Sequence, residues 1–312
     1  MEKEAQAAPG WTERYWDSAD GLRLFYRDYP GPADRPPIVC LHGLTRNSRD
    51  FADFAEQFAG RGRVIAPDFR GRGSSQWDPQ PERYKPPVYA ADILRLLDQL
   101  DIARAIFVGT SLGGLVTMVI AAIAPGRIAA TVLNDIGPEL DPVGLGRISD
   151  YVGKPVRYAS WHEAAAALAE FQGMTHPDYT ARDWERYARR IARQGEGAIE
   201  LDYDMAIADN FRLGHGKPAP DAWPYYRALA GASLLIVRGE LSDLLSASSA
   251  REMVDAHPDA ELVTVPNVGH PPDLDEPIAA AALERFLNRV ARDSAGFRRA
   301  TDHEAGLGPA TD

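Results

Sequence analysis

The chain has 312 residues, with 45 Asp and Glu against 34 Lys and Arg, a formal net charge of -11 at pH 7. That balance, with no basic run, argues against a nucleic-acid partner, and no stretch is apolar for long enough to span a bilayer. The single cysteine, Cys40, excludes an internal disulfide or a thiolate metal cluster, and no His-Glu-x-x-His or clustered His/Asp pattern points to a metal.

Taken in chain order, residues 1–10 are expected to be disordered. The start, Met1-Glu-Lys-Glu-Ala-Gln, lacks the apolar segment of a secretory signal, which makes the cytoplasm the expected location. Residues 14–19 and 22–29 flank Asp20-Gly21 and read as two antiparallel edge strands. Residues 38–41 (IVCL) make a buried strand, followed by His42-Gly43-Leu44-Thr45. A helix over 48–59 places Phe51, Phe54, Ala55 and Phe58 on one face. A short strand at 64–66 runs into Asp68-Phe69-Arg70-Gly71-Arg72-Gly73-Ser74-Ser75, and a helix follows over 88–100. Residues 105–108 are a buried strand and the run from Leu112 to Ala124 is a helix apolar nearly all round. A strand at 129–133 ends in Asn134-Asp135-Ile136-Gly137-Pro138.

Strands alternating with helices at this spacing imply a parallel sheet with helices on both faces. The alternation stops at 139–223, which offers only helical runs at 161–171, 181–194 and 201–209. It resumes with a strand at 233–237, a helix at 247–256, a strand at 261–265 and a helix at 278–291. The expected fold is therefore α/β, a mostly parallel twisted sheet of about eight strands with an inserted helical lid. The core comprises 11–137 and 224–292 and the cap 138–223, with 293–312 a disordered tail.

The chemistry centres on Gly109-Thr110-Ser111-Leu112-Gly113, a G-x-S-x-G pentapeptide between a buried strand and a buried helix. A serine at such a corner is held in a strained turn with its hydroxyl presented at the carboxyl edge of the sheet. To act as a nucleophile it needs a base, an orienting acid and oxyanion donors. In an open sheet these belong in loops that follow strands. Of seven histidines only His42 and His270 follow strands, and His270 lies in the last such loop, where a base is expected. Asp243, in Arg238-Gly239-Glu240-Leu241-Ser242-Asp243, is favoured as the acid because it completes the order Ser, Asp, His; Asp135, after the 129–133 strand, is the alternative. The oxyanion donors are expected to be the backbone amides of Leu44 and Leu112, with His42 supporting its loop. A P-loop is excluded because the glycines at 109, 113 and 114 lack the Lys-Ser/Thr pair.

With these motifs assembled, the chain resembles the α/β-hydrolase fold family, specifically its lidded serine hydrolases. The resemblance rests on His42-Gly43-Leu44, the 68–75 loop, Gly109-Thr110-Ser111-Leu112-Gly113-Gly114, the 134–138 and 238–243 loops and Val268-Gly269-His270. It implies Ser111, Asp243 and His270 as nucleophile, acid and base, and no cofactor. Dehalogenases and epoxide hydrolases of this family carry aspartate at the elbow, so Ser111 points away from both. The implied activity is hydrolysis of a carboxylic ester or lactone of a small hydrophobic molecule. The alternatives are a carbon–carbon bond hydrolase of meta-cleavage-type diketones and a small-ligand receptor on the same fold. The expected partner is a small-molecule substrate, with no nucleic acid or membrane, and the chain is expected to be a monomer or homodimer. The cap is rich in large side chains (Trp161, Phe171, Met174, Trp184, Tyr187, Tyr203, Met205, Phe211 and Trp223), most of which should pack the cap while a few line an apolar pocket.

Overall fold

The computed structural model describes residues 10–213 and 221–305. In chain order the elements are β1 (Thr12–Asp17), β2 (Arg23–Tyr29), β3 (Ile38–Leu41), α1 (Ala52–Phe58), β4 (Val64–Pro67), α2 (Pro86–Gln99), β5 (Ala105–Thr110), α3 (Leu112–Ile123) and β6 (Ile128–Asn134). Next come α4 (Pro142–Tyr151), β7 (Arg157–Tyr158), α5 (Trp161–Gln172), α6 (Ala181–Ile191), β8 (Ala192–Gln194), β9 (Ile199–Leu201) and α7 (Ile207–Leu213). The chain then continues through α8 (Trp223–Arg227), β10 (Ser233–Gly239), α9 (Ala247–Asp255), β11 (Ala260–Val265) and α10 (Pro277–Ala305).

Eight strands form one sheet in the order β1-β2-β4-β3-β5-β6-β10-β11. Pairing is parallel from β4 to β11 and antiparallel at β1–β2 and β2–β4. The hairpin turn uses Gly21 at φ +85°, a left-handed conformation that costs glycine nothing sterically. Successive side chains of β5 alternate between the two faces. Ala105 and Phe107 join the cluster under α2, α3, α8 and α9, whereas Ile106 and Val108 join the one under α1 and α10. Helix α3 runs through the first of these clusters, burying Val116, Met118, Ile120 and Ala121, which explains its lack of a polar face.

The region between β6 and β10 departs from the all-helical expectation. Strands β7, β8 and β9 form a small antiparallel sheet in the order β7-β9-β8. Residues 192–194, expected to continue a helix, leave it after Ile191 and pair with β9 across a turn in which Gly197 has φ +72°. These strands are two or three residues long and carry Arg157, Arg193, Gln194 and Glu200, so they lack the apolar alternation by which a strand is read. Helices α5 and α6 start where side chains cap them: Ser160 Oγ accepts from the Glu163 amide, and Thr180 and Asp183 form a capping box. Their facing sides make a separate core around Leu168, Trp184 and Tyr187. The insertion is tied to the sheet by Arg190, which bonds to Asp53 and to Asp273 (3.2 Å), and by the Arg49–Asp202 pair at 2.7 Å. At the C-terminal end α10 continues through Ala305, beyond the point where a disordered tail was expected; residues 1–9 and 306–312 of the expected disordered ends lie outside the described residues. No helix among the described residues is long and apolar enough to cross a membrane.

Candidate active site

Ser111 sits at the β5–α3 corner with φ 51° and ψ -116°, a left-handed φ that a side-chain-bearing residue adopts only under constraint. The constraint is the close approach of strand and helix. A Cβ on Gly113 would stand 2.0 Å from the Leu41 carbonyl oxygen, and one on Gly109 would meet Gly113 backbone at 2.6 Å. Only glycine at both positions lets α3 descend onto the sheet at this angle. The corner is pinned by the Ser111 amide donating to the Asn134 carbonyl at 3.0 Å.

His270 reaches Ser111 from the loop after β11. Its Nε2 lies 3.0 Å from Ser111 Oγ, and its Nδ1 lies 2.8 Å from Asp135 Oδ2. A carboxylate only accepts, so Nδ1 carries the proton and Nε2 presents its lone pair to the serine hydroxyl. Asn134 helps hold this loop by donating from Nδ2 to the Pro272 carbonyl at 2.8 Å.

The acid beside the imidazole is Asp135, not Asp243. Asp135 is fully buried at φ 56°, directly after β6, the strand next to the one that carries Ser111. Its Oδ1 accepts from the Gly239 amide at 2.9 Å, and its Oδ2 accepts from Ser242 Oγ at 2.5 Å as well as from His270. Asp243, the acid favoured from chain order, instead forms a bidentate pair with Arg147 of α4, at 2.6 and 2.7 Å. Burial pushes the Asp243 carboxyl up, and the Arg147 guanidinium outweighs it, leaving the group below its ordinary value. The reason for the swap is geometric. The 238–243 loop uses Gly239 and Ser242 to bind Asp135 and turns its own aspartate toward the insertion. The order Ser, Asp, His holds for both aspartates, so order alone had no power to separate them; the adjacency of β6 to β5 did.

The 42–46 loop flanks Ser111 from the other side. His42 is fully buried, donates from Nδ1 to the Gly43 carbonyl at 2.7 Å and accepts the Phe69 amide on Nε2 at 3.0 Å. Burial drops its pKa to about 3, so it is a neutral strut that joins two loops. Arg72 fixes the Leu44 peptide by donating from Nε to the Leu44 carbonyl at 3.0 Å, and from Nη1 to Tyr89 Oη at 2.8 Å. Leu44 and the first residue of α3, Leu112, thus stand on either side of Ser111. Three participants were missed from sequence: Ser242, Asn134 and Arg72. Each lies within a motif already singled out, but their roles depend on contacts between loops.

Two cavities open at the serine. One, of about 400 Å³, is lined by Ser111 and His270 and roofed by the insertion, including Tyr151, Phe171, Tyr187 and Tyr203. The other, of about 240 Å³, also reaches Ser111 and is walled by Leu112, Leu115, Ile136, Leu140, Leu145 and Ile148. Of the large side chains expected over the pocket, Phe171, Tyr187 and Tyr203 line it, Trp184 is buried in the insertion's own core, and the side chain of Phe211 lies outside the described residues. Among the described residues no group of three or more His, Cys, Asp or Glu could hold a metal ion.

Comparison with known proteins agrees with this architecture. Residues 38–283 match the model of the alpha/beta hydrolase family. The chain is 34% identical over 277 residues to a 3-hydroxybutyrate-oligomer hydrolase of Cupriavidus necator, covering 85% of this chain and 92% of that protein. It is 26% identical to esterase YbfF of Escherichia coli, covering 81% of this chain and 93% of that protein. The crystal structure of an alpha/beta hydrolase from Novosphingobium aromaticivorans superposes with a TM-score of 0.87 at 49% identity, covering 91% of this chain and 100% of that one. With its serine corner, its eight-stranded sheet and these relatives, the chain is an enzyme of the alpha/beta hydrolase family.

Proposed function

We propose that this protein is a serine hydrolase of carboxylic esters that works through an acyl-enzyme. The observation that carries the reading is the continuous hydrogen-bonded chain from Ser111 Oγ through His270 to Asp135, at 3.0 and 2.8 Å. Ser111 Oγ attacks the ester carbonyl carbon while its proton passes to His270 Nε2. The resulting imidazolium is stabilised by the Asp135 carboxylate, and the oxyanion is bound by the amides of Leu44 and Leu112. Collapse breaks the bond to the alcohol oxygen, which takes the proton from Nε2. Water then enters, gives a proton to the same nitrogen and attacks the acyl carbon, releasing the acid and restoring the serine. No metal or organic cofactor enters any of these steps.

The insertion serves as the lid that encloses the substrate, since it roofs the 400 Å³ cavity. The names of the relatives, an oligomer hydrolase and an esterase, support an ester over a carbon–carbon bond. Replacing Ser111 by Ala lowers turnover of a short p-nitrophenyl ester by about 10⁴-fold or more. Activity retained within tenfold of the parent contradicts the assignment.

A further inference from the structure

The two cavities that meet at Ser111 differ in what borders them. His270 and Pro271 line only the larger one. Because the leaving alcohol must take its proton from His270 Nε2, the alcohol half of an ester lies on that side. The acyl half is then directed into the smaller cavity, whose wall beside Leu112 is built almost wholly of leucine and isoleucine.

The alcohol side is not apolar. Arg46, Arg147 and Lys154 all border it, with Asp150 the acidic side chain on the same wall. Two of the cations already have partners. Arg46 binds Asp50 through Nε and Nη2, both at 2.7 Å, with its guanidinium 4.3 Å over the Tyr187 ring, and Arg147 binds Asp243 through the same pair of nitrogens. Each leaves Nη1 outside its pairing. Lys154, exposed at the border of the cavity, has no ion-pair partner within 4 Å among the described residues and is the cation of this wall most open to a ligand. The smaller cavity also has one lysine, Lys85, the residue preceding α2.

We infer that the substrate is an ester whose acyl part is short and apolar and whose alcohol part bears a carboxylate, held by Lys154 with the free edges of Arg46 and Arg147. This inference rests on the ester-hydrolase reading above and adds the polarity of its substrate. It revises the expectation of a wholly hydrophobic ligand, because a carboxylate on the alcohol half would find at this wall a cation, Lys154, that no carboxylate of the described residues pairs with.

Three esters of similar size test it: butyl butanoate, the butanoyl ester of 3-hydroxypropanoate, and monobutyl succinate. The first is neutral, the second carries its carboxylate on the alcohol side, and the third carries it on the acyl side. Initial rates by pH-stat titration should give a KM for the second at least about tenfold below that for the first, the size expected of a hydrogen bond to a charged group. The third should be the poorest. In Lys154→Gln the KM ratio between the first and second esters should move towards one, while a ratio unchanged by that substitution removes Lys154 from the inference. Equal efficiency for all three, or preference for monobutyl succinate, overturns the polarity but leaves ester hydrolysis intact. Failure to hydrolyse any of the three, together with p-nitrophenyl esters, overturns the hydrolase reading itself.

Discussion

Asp135 and Asp243 follow neighbouring strands, β6 and β10, and each ends near the same histidine, yet their surroundings differ in kind. Asp135 is fully buried, sits at a positive φ, and receives fixed donors from Gly239, Ser242 and His270. The Asp243 side chain is 25% exposed and faces a single cation, Arg147, whose own side chain is 22% exposed. A buried carboxylate with three oriented donors is held still at one position, which suits it to orient an imidazole beside it. An aspartate paired to an arginine of α4 is suited to joining two parts of the molecule. The same residue type thus does two jobs, and the donors around it decide which.

The sharpest way to break this comparison is to neutralise each carboxylate in turn. Asp135→Asn should lower kcat by about 10⁴-fold, because the amide no longer holds the imidazole in the productive tautomer. The same change at Asp243 should lower it less than about tenfold, as only an ion pair outside the hydrogen-bonded chain of Ser111, His270 and Asp135 is lost. Steady-state rates on one ester, measured for both variants, decide the matter, and the reverse ranking would exchange the two roles. A milder probe is Ser242→Ala, which removes one of the three donors to Asp135. A hydrogen bond to a charged group is worth about 1.5–3 kcal/mol, so kcat/KM should fall by about tenfold or more while KM stays near its parent value.

The third prediction concerns pH and the opposite side of the serine. His42 is neutral in the fold, its pKa depressed by burial from 6.5 to about 3. In that interval the unfolded chain binds a proton that the folded one does not, so stability rises with pH. The contribution is fully present above pH 6.5 and is lost as pH falls towards 3, by up to about 1.4 kcal/mol per unit. Denaturant unfolding at a series of pH values should show His42→Asn with a flatter acid limb than the parent; parallel limbs would contradict the neutral strut. The smallest effect is on the Arg147–Asp243 pair. Arg147→Gln should lower stability by less than about 1 kcal/mol, and by less still at high salt, whereas a salt-independent loss would mean the pair is more than a surface tether.

Most of the sheet was legible because its strands are buried on both faces and read as continuous apolar runs between glycine-rich or polar loops, as in 38–41, 105–108 and 233–237. Ser111 and His270 were legible because each stands in a loop that follows a strand of the sheet, Ser111 directly after the buried β5 and His270 in the connection from β11 to α10. The acid was not, because two aspartates satisfied the same chain order, and choosing between them needed the spatial order of β5, β6 and β10, which local patterns do not carry. The insertion was only partly legible. Its helices announce themselves through caps at Ser160 and Thr180, but β7, β8 and β9 are too short and too polar to leave a period. The cations of the larger cavity were invisible as a group because Arg46, after β3, is far along the chain from Arg147 and Lys154, in and just after α4, and they meet only around the folded cavity.

The claim on which the rest depends is that Ser111 becomes covalently acylated. Intact-mass spectrometry of the protein quenched in acid during turnover of p-nitrophenyl butanoate tests it most directly, with peptide mapping to place the adduct. The account predicts a single butanoyl group on Ser111, accumulating further in Asp135→Asn if deacylation slows more than acylation, and absent from Ser111→Ala. A butanoyl group on any other residue, or undiminished hydrolysis by Ser111→Ala, would contradict it.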